Sequence, residues 1–136
     1  MATKSEIEKR IEAAKNKRTR YQRIVRNCDD EIARLEPVYR ELGAIKNDFR
    51  SVRKKTLQII DEKRKWVGDK HNAFCQAGDS FDDVCGEYYR LLDAAQDAVN
   101  TKIGDLKAQK RELVPLIGNL WGQIERWKVD LQNIGN

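Results

Sequence analysis

Apolar side chains recur about every 3.5 residues along nearly the whole chain, a period typical of helices that pack as coiled coils. The first stripe starts at Ile7 and alternates steps of four and three residues as far as Leu42, with only Arg18 breaking the pattern. The stripe then slips by one residue and continues through Ile45, Phe49, Val52, Thr56 and Ile59. This half of the chain is therefore predicted to be one long helix that packs along the stripe.

The second half of the chain carries a matching stripe. Its first part runs from Phe74 to Ala95, and its second part runs from Val99 to Ile134 with only Lys110 breaking the pattern. No segment shows the period of two that a half-buried strand requires. With 2 prolines and 8 glycines in 136 residues, the chain also lacks the turn formers of a β-sandwich. We predict an all-α fold, a long antiparallel helical hairpin with coiled-coil-like packing.

A helix-ending signal and a helix-starting signal meet at the midpoint. The cations at 63–65 suit the negative end of a helix dipole, and Gly68 can adopt the left-handed conformation that follows a helix. Asp69 can cap the next helix. The prediction is a single hairpin domain over 1–136, with arm one at about 3–65, a Trp66-x-Gly68 turn at 66–69 and arm two at about 70–134.

Two prolines lie inside the predicted arms. A proline within a helix removes one backbone hydrogen bond and costs about 3 kcal/mol. The apolar phase nevertheless continues across both Pro37 and Pro115. A kink at each proline is therefore favoured over a chain reversal at both, which would give a compact four-helix bundle.

Charge is divided unevenly between the arms. The chain has 27 Lys and Arg against 22 Asp and Glu, a net charge of +5, which is the sum of +8 over residues 1–65 and −3 over residues 66–136. Arms of opposite sign attract each other.

The densest basic run, from Lys15 to Arg26, makes nucleic acid an alternative partner. No nucleic-acid-binding module accompanies that run, so a solvated helix face is favoured and nucleic acid ranks low.

The chain offers little that supports catalysis or membrane insertion. Its N-terminus has no apolar segment of the signal-peptide type, and no stretch reaches the roughly 18 apolar residues of a membrane span. The single histidine, His71, and the cysteines Cys28, Cys75 and Cys85 lack metal-ligand spacing. We expect a cytoplasmic protein that is not an enzyme, has no metal or cofactor, and does not insert into membranes.

Two helices that share one seam cover only a narrow stripe on each helix. Apolar residues outside that stripe are then left for further helices, supplied by a partner or by a second copy. The stripe itself is also predicted to contact the partner. The predicted partner interface consists of aromatic residues and leucines of arm two, all on the stripe except Trp121: Phe74, Phe81, Tyr88, Leu106, Leu113, Leu120, Trp121 and Trp127.

The Trp66-Val67-Gly68 turn, followed by Phe74 and flanked by two phased arms, resembles the WXG-type helical hairpins of type VII secretion systems. The chain's length and its charged first arm are most similar to the YwqH-like and Lap proteins associated with LXG-domain toxins. The resemblance implies a targeting factor or chaperone that binds the helical LXG domain of a toxin. It also implies a second small helical protein and a secretion ATPase or receptor as further partners, and co-secretion with the toxin.

A second feature of that family is an export signal of the form Tyr-x-x-x-Asp/Glu. Tyr89 and Asp93 match it, and residues four apart share one face of a helix. In the family the signal usually follows the bundle, whereas here it lies inside the second arm.

Two other functions stay open, namely a structural coiled-coil scaffold or homodimer without a secretion role, and a basic nucleic-acid-associated protein.

Overall fold

The computed structural model describes residues 2–63 and 69–135. Two helices account for almost all of them, α1 (Lys4–Lys63) and α2 (Asp69–Gly135), and the described residues form no strand. The predicted all-α hairpin is thereby confirmed. Trp66 and Gly68 lie outside the described residues, and α2 begins at Asp69, the last residue of the predicted turn and the predicted cap of the second helix.

Both prolines lie within continuous helices, Pro37 in α1 and Pro115 in α2. Both are exposed, so neither ring takes up space in a core. The chain does not reverse at either residue, and the four-helix alternative is therefore wrong.

Helix α1 begins with a capping box, in which two side chains satisfy backbone groups that the first turn leaves unpaired. The backbone N–H of Glu6 donates to Thr3 Oγ1 at 3.2 Å. The backbone N–H of Thr3 donates in return to Glu6 Oε2, also at 3.2 Å. The Ile7 N–H donates to the Thr3 carbonyl at 3.0 Å. These bonds fix the start of the helix one turn before its first core residue.

The chain divides into two compact units. Unit 1 consists of Met1–Arg34 and Ile103–Asn136, and unit 2 consists of Leu35–Lys102. In unit 1 the apolar stripe and the contact between the helices coincide, as the 3.5-residue period predicts. One core cluster of unit 1 consists of the buried residues Ile7, Ile11, Ala14 and Ile124, against which Leu120, Trp127 and Leu131 pack.

In unit 2 the helix contact does not follow the apolar stripe. Ile60 and Cys85 are buried there, each one residue after an exposed stripe member, Ile59 and Val84. After Tyr39 the apolar pattern takes two successive steps of three residues. The α1 residues that contact α2 instead follow steps of four and three, and one residue of difference corresponds to a rotation of about 100°. The prediction that Ile45, Val52 and Ile59 form the seam between the arms is therefore wrong, because these side chains are exposed.

Candidate interaction surface

Unit 2 carries eight exposed large apolar residues, and the seven that remain when Tyr39 is set aside are what we call the unit 2 face. Their side chains are between 41% and 68% exposed. The members on α1 are spaced seven residues apart, so they lie in one row along the helix. The seven residues are Val38, Ile45, Val52 and Ile59 on α1 and Val84, Tyr88 and Leu91 on α2.

The α1 and α2 parts of this face adjoin each other. The rings of Phe49 and Tyr88 lie across the two helices with centroids 4.9 Å apart and planes inclined by 51°. Phe49 is half-buried and lies in sequence midway between Ile45 and Val52. A tilted pair at this separation is a favourable aromatic contact. The two rows therefore form one apolar surface that extends over both helices of unit 2.

The seam between the helices of unit 2 is polar. Lys46 Nζ lies 2.5 Å from Asp93 Oδ1 and donates to Gln96 Oε1 at 3.1 Å. Arg53 Nε donates to Asp82 Oδ1 at 3.1 Å. The hydrogen bond to Asp93 raises the pKa of Lys46, and the hydrogen bond to Asp82 raises the pKa of Arg53, although desolvation opposes both shifts. Ion pairs thus join these helices alongside the buried Ile60 and Cys85, while most members of the unit 2 face stay exposed beside the seam.

The helices approach closely near this seam. A Cβ atom added at Gly43 would lie 3.0 Å from Gln96 Nε2. Gln96 also donates through Nε2 to the Tyr39 carbonyl at 3.4 Å. A glycine at 43 therefore leaves room for an amide that bridges the two helices.

Tyr89 and Asp93, the residues of the predicted export signal, both contact α1. Arg50 Nη2 donates a hydrogen bond to Tyr89 Oη. The charged groups of Lys46 and Arg50 lie 5.2 and 5.3 Å from the centroid of the Tyr89 ring. Asp93 accepts the ion pair from Lys46. Both side chains are thus engaged within unit 2, and their role in export stays a prediction.

Unit 1 has one irregularity, at the residue that interrupts the first stripe. The Arg18 Cζ lies 4.9 Å from the centroid of the Trp121 ring, and Trp121 is 56% exposed. Arg18 Nε and Nη1 are buried without a hydrogen-bond partner among the described residues. An unpaired buried donor opposes folding, so this position weakens an otherwise apolar core.

The predicted partner-interface residues occupy different environments. Tyr88 and Trp121 are exposed, whereas Leu106 is only 6% exposed and lies inside unit 1, out of reach of a partner. Leu120 and Trp127 pack against the core of unit 1. The remaining three are half-buried: Phe74, Phe81 and Leu113.

Among the members of the unit 2 face, sequence reasoning named only Tyr88 as an interface residue. It assigned Ile45, Val52 and Ile59 to the apolar stripe along which the helix packs. The signal that could have separated them is the residue that follows: Lys46 and Arg53 each come directly after a stripe member. A lysine or arginine directly after two of the four exposed α1 positions indicates the side of the helix that faces the acidic residues of α2.

Two absences hold for the described part of the chain. The residues searched contain no group of three or more His, Cys, Asp or Glu side chains that could hold a metal ion. Within the same residues, neither helix has a stretch that is long and apolar enough to span a bilayer.

Comparison with protein-family models, with curated proteins and with solved structures finds no match for this chain. The exposed apolar face, the polar seam and the sequence motifs are therefore the observations that bear on function.

Proposed function

We propose that this chain is a non-enzymatic, helical partner-binding protein whose unit 2 face is covered by helices of another protein. The single observation that carries the proposal is the contiguous apolar surface formed by the two rows on α1 and α2. Large exposed apolar patches on helical proteins typically mark sites of protein–protein interaction.

The free energy available from this face can be bounded. Complete burial of a large apolar side chain contributes about 1.5–3 kcal/mol. Seven side chains that are roughly half exposed would therefore contribute about 5–10 kcal/mol. Association costs about 4–15 kcal/mol in lost freedom of motion. The face alone gives weak binding, and a stable complex needs further contacts around it.

The partner that the sequence favours is the helical LXG domain of a toxin exported by a type VII system. This choice rests on the Trp66-x-Gly68 motif at the midpoint of the chain and on its resemblance to the LXG-associated helical proteins. In this role the chain is a targeting factor or chaperone that covers apolar helices of the toxin before export. Tyr89 and Asp93 would supply an export signal for the complex.

Co-expression tests this function. The chain is expressed with the LXG domain of a type VII-exported toxin, and copurification is measured for the wild type and for a Val52→Asp, Leu91→Asp double variant. The wild type should retain the LXG domain, and the double variant should lose it because two carboxylates would enter an apolar contact.

Val129→Asp is the matched control, because Val129 lies in unit 1 and is 54% exposed, close to the 59% of Val52. Circular dichroism checks that each variant stays helical. If the double variant retains the LXG domain as well as the control does, the unit 2 face is not the binding surface. If the wild type alone forms a stable dimer and does not retain the LXG domain, the homodimer scaffold replaces the proposed function.

A further inference from the structure

We infer that the helix seated on the unit 2 face is amphipathic and carries lysine or arginine along its edges. This inference rests on the proposed partner-binding function and adds the chemistry by which the partner is recognised. It follows from the charge of the side chains that border the face. It also follows from the pairing of Lys46 and Arg53 with carboxylates of α2, which leaves neither cation available to a partner.

The outer edge of the face is acidic. On a helix, a residue three positions after another lies on a neighbouring part of the surface. The position three residues after each exposed α1 member holds a charged, exposed side chain, and so does the position three residues after Val84 on α2. These edge residues are Glu41, Asp48, Lys55 and Glu62 on α1 and Glu87 on α2.

The α1 cations on the side of the face next to the seam are already paired. Lys46 and Arg53 follow Ile45 and Val52 directly, but each is paired across the seam, with Asp93 and Asp82. The edge groups themselves form no ion pair within the described residues. Four carboxylates therefore face two cations, Lys55 and the exposed Arg90 beside Leu91, and the border of the face is net negative although the whole chain has a net charge of +5.

Charge complementarity favours a basic-edged partner over a second copy of this chain. A second copy would bring an edge of the same net negative charge, with Glu41, Asp48 and Glu62 among its carboxylates, and like charges at an interface oppose association. Lys55 and Arg90 could offset only part of this repulsion. Lysine or arginine on a partner helix would meet a carboxylate at most edge positions.

The length of the occupant follows from the same row. Val38 and Ile59 are separated by 21 residues, or about 32 Å along a helix. A partner helix of about 28 residues, or four heptads, could therefore contact all four residues of the α1 row, with one heptad opposite each residue.

Two synthetic helical peptides of 28 residues serve as probes. Both carry leucine and isoleucine at the core positions of four heptads; one has lysine at the edge positions and the other has glutamate. Their dissociation constants for the full chain are measured by fluorescence anisotropy at 50 mM and 500 mM NaCl. The lysine peptide should bind at least tenfold more tightly at low salt, and the ratio should fall towards one at high salt as screening increases.

Variants of the chain locate the effect. A Glu41→Lys, Asp48→Lys, Glu87→Lys variant should invert the preference between the peptides. The same change of charge in unit 1, made with Glu8→Lys, Glu12→Lys, Glu112→Lys, should preserve it. Leu91→Asp should weaken binding of the lysine peptide at least tenfold, because it places a carboxylate inside the apolar contact.

Equal affinities for the two peptides at low salt, or no binding of the lysine peptide, would overturn the inference. Retention of the preference in the unit 2 charge variant would also overturn it. These results are separable from a failure of the proposed function. If the LXG domain copurifies but the peptides show no charge preference, the partner-binding function stands and its proposed chemistry falls.

Discussion

Arg18 is a position where a single substitution should stabilise unit 1. Its Nε and Nη1 are buried without hydrogen-bond partners among the described residues, in a row that is otherwise apolar. Arg18→Met removes both donors and keeps an unbranched side chain that can pack beneath Trp121. The guanidinium stacks at 4.9 Å on that ring, so the substitution also removes a favourable contact.

The two effects differ in size. Each buried donor left unpaired costs about 1–3 kcal/mol, and a cation–π contact contributes about 0.5–2 kcal/mol. At mid-range, two unpaired donors cost about 4 kcal/mol together and the cation–π contact contributes about 1 kcal/mol, so Arg18→Met should raise the free energy of unfolding by about 3 kcal/mol. For a chain of this size that corresponds to a rise of about 10 °C in Tm.

Thermal and urea denaturation followed by circular dichroism at 222 nm measures this change. Arg23→Met is the control, because Arg23 is exposed on the same helix and its substitution should change stability by no more than about 0.5 kcal/mol. A variant at Arg18 that is no more stable than the wild type would refute the reasoning. It would mean that the stacking on Trp121 outweighs the two unpaired donors.

Three further predictions concern the seam of unit 2 and the start of α1. The raised pKa of Lys46 means that its contribution to stability is fully present below pH 10.5 and is lost as the pH rises through the folded-state value. The difference in urea stability between the wild type and Lys46→Met should therefore be constant from pH 7 to 9 and should shrink above pH 10.5. Gly43→Leu should lower the Tm because its side chain would displace Gln96, whereas Gly43→Ala requires only a small shift of that flexible amide and should be tolerated. Thr3→Ala should lower the free energy of unfolding by about 0.5–2 kcal/mol in chemical denaturation, and Thr3→Ser should retain most of it.

The sequence predicts the helices and the core of unit 1 because there one apolar period serves one contact. Ile7, Ile11 and Ile124 are stripe residues and are also buried. The capping box was equally open to prediction, since Thr3 and Glu6 have its spacing. In these regions local preference and tertiary packing require the same residues.

Unit 2 could not be predicted in the same way because its two helices meet through polar groups. A period of apolar residues reveals where apolar surface lies, but it does not reveal what that surface contacts. Lys46, Arg53 and Asp82 resemble solvated charges when they are considered singly, and only their pairing across the helices identifies them as seam residues. The candidate face is correspondingly the part of the chain that the sequence placed in the wrong contact.

The one-residue offset between Ile45 and Lys46, and between Val52 and Arg53, has a consequence for how this chain can change over time. Neighbouring codons specify different roles: one residue pairs the two helices, and the residue before it lies on the exposed unit 2 face. If that face binds the proposed partner, a substitution at Val52 alters the choice of partner while the Arg53–Asp82 pair still joins the two helices. Recognition in unit 2 can therefore diverge between related chains without any need to rebuild the scaffold that presents it.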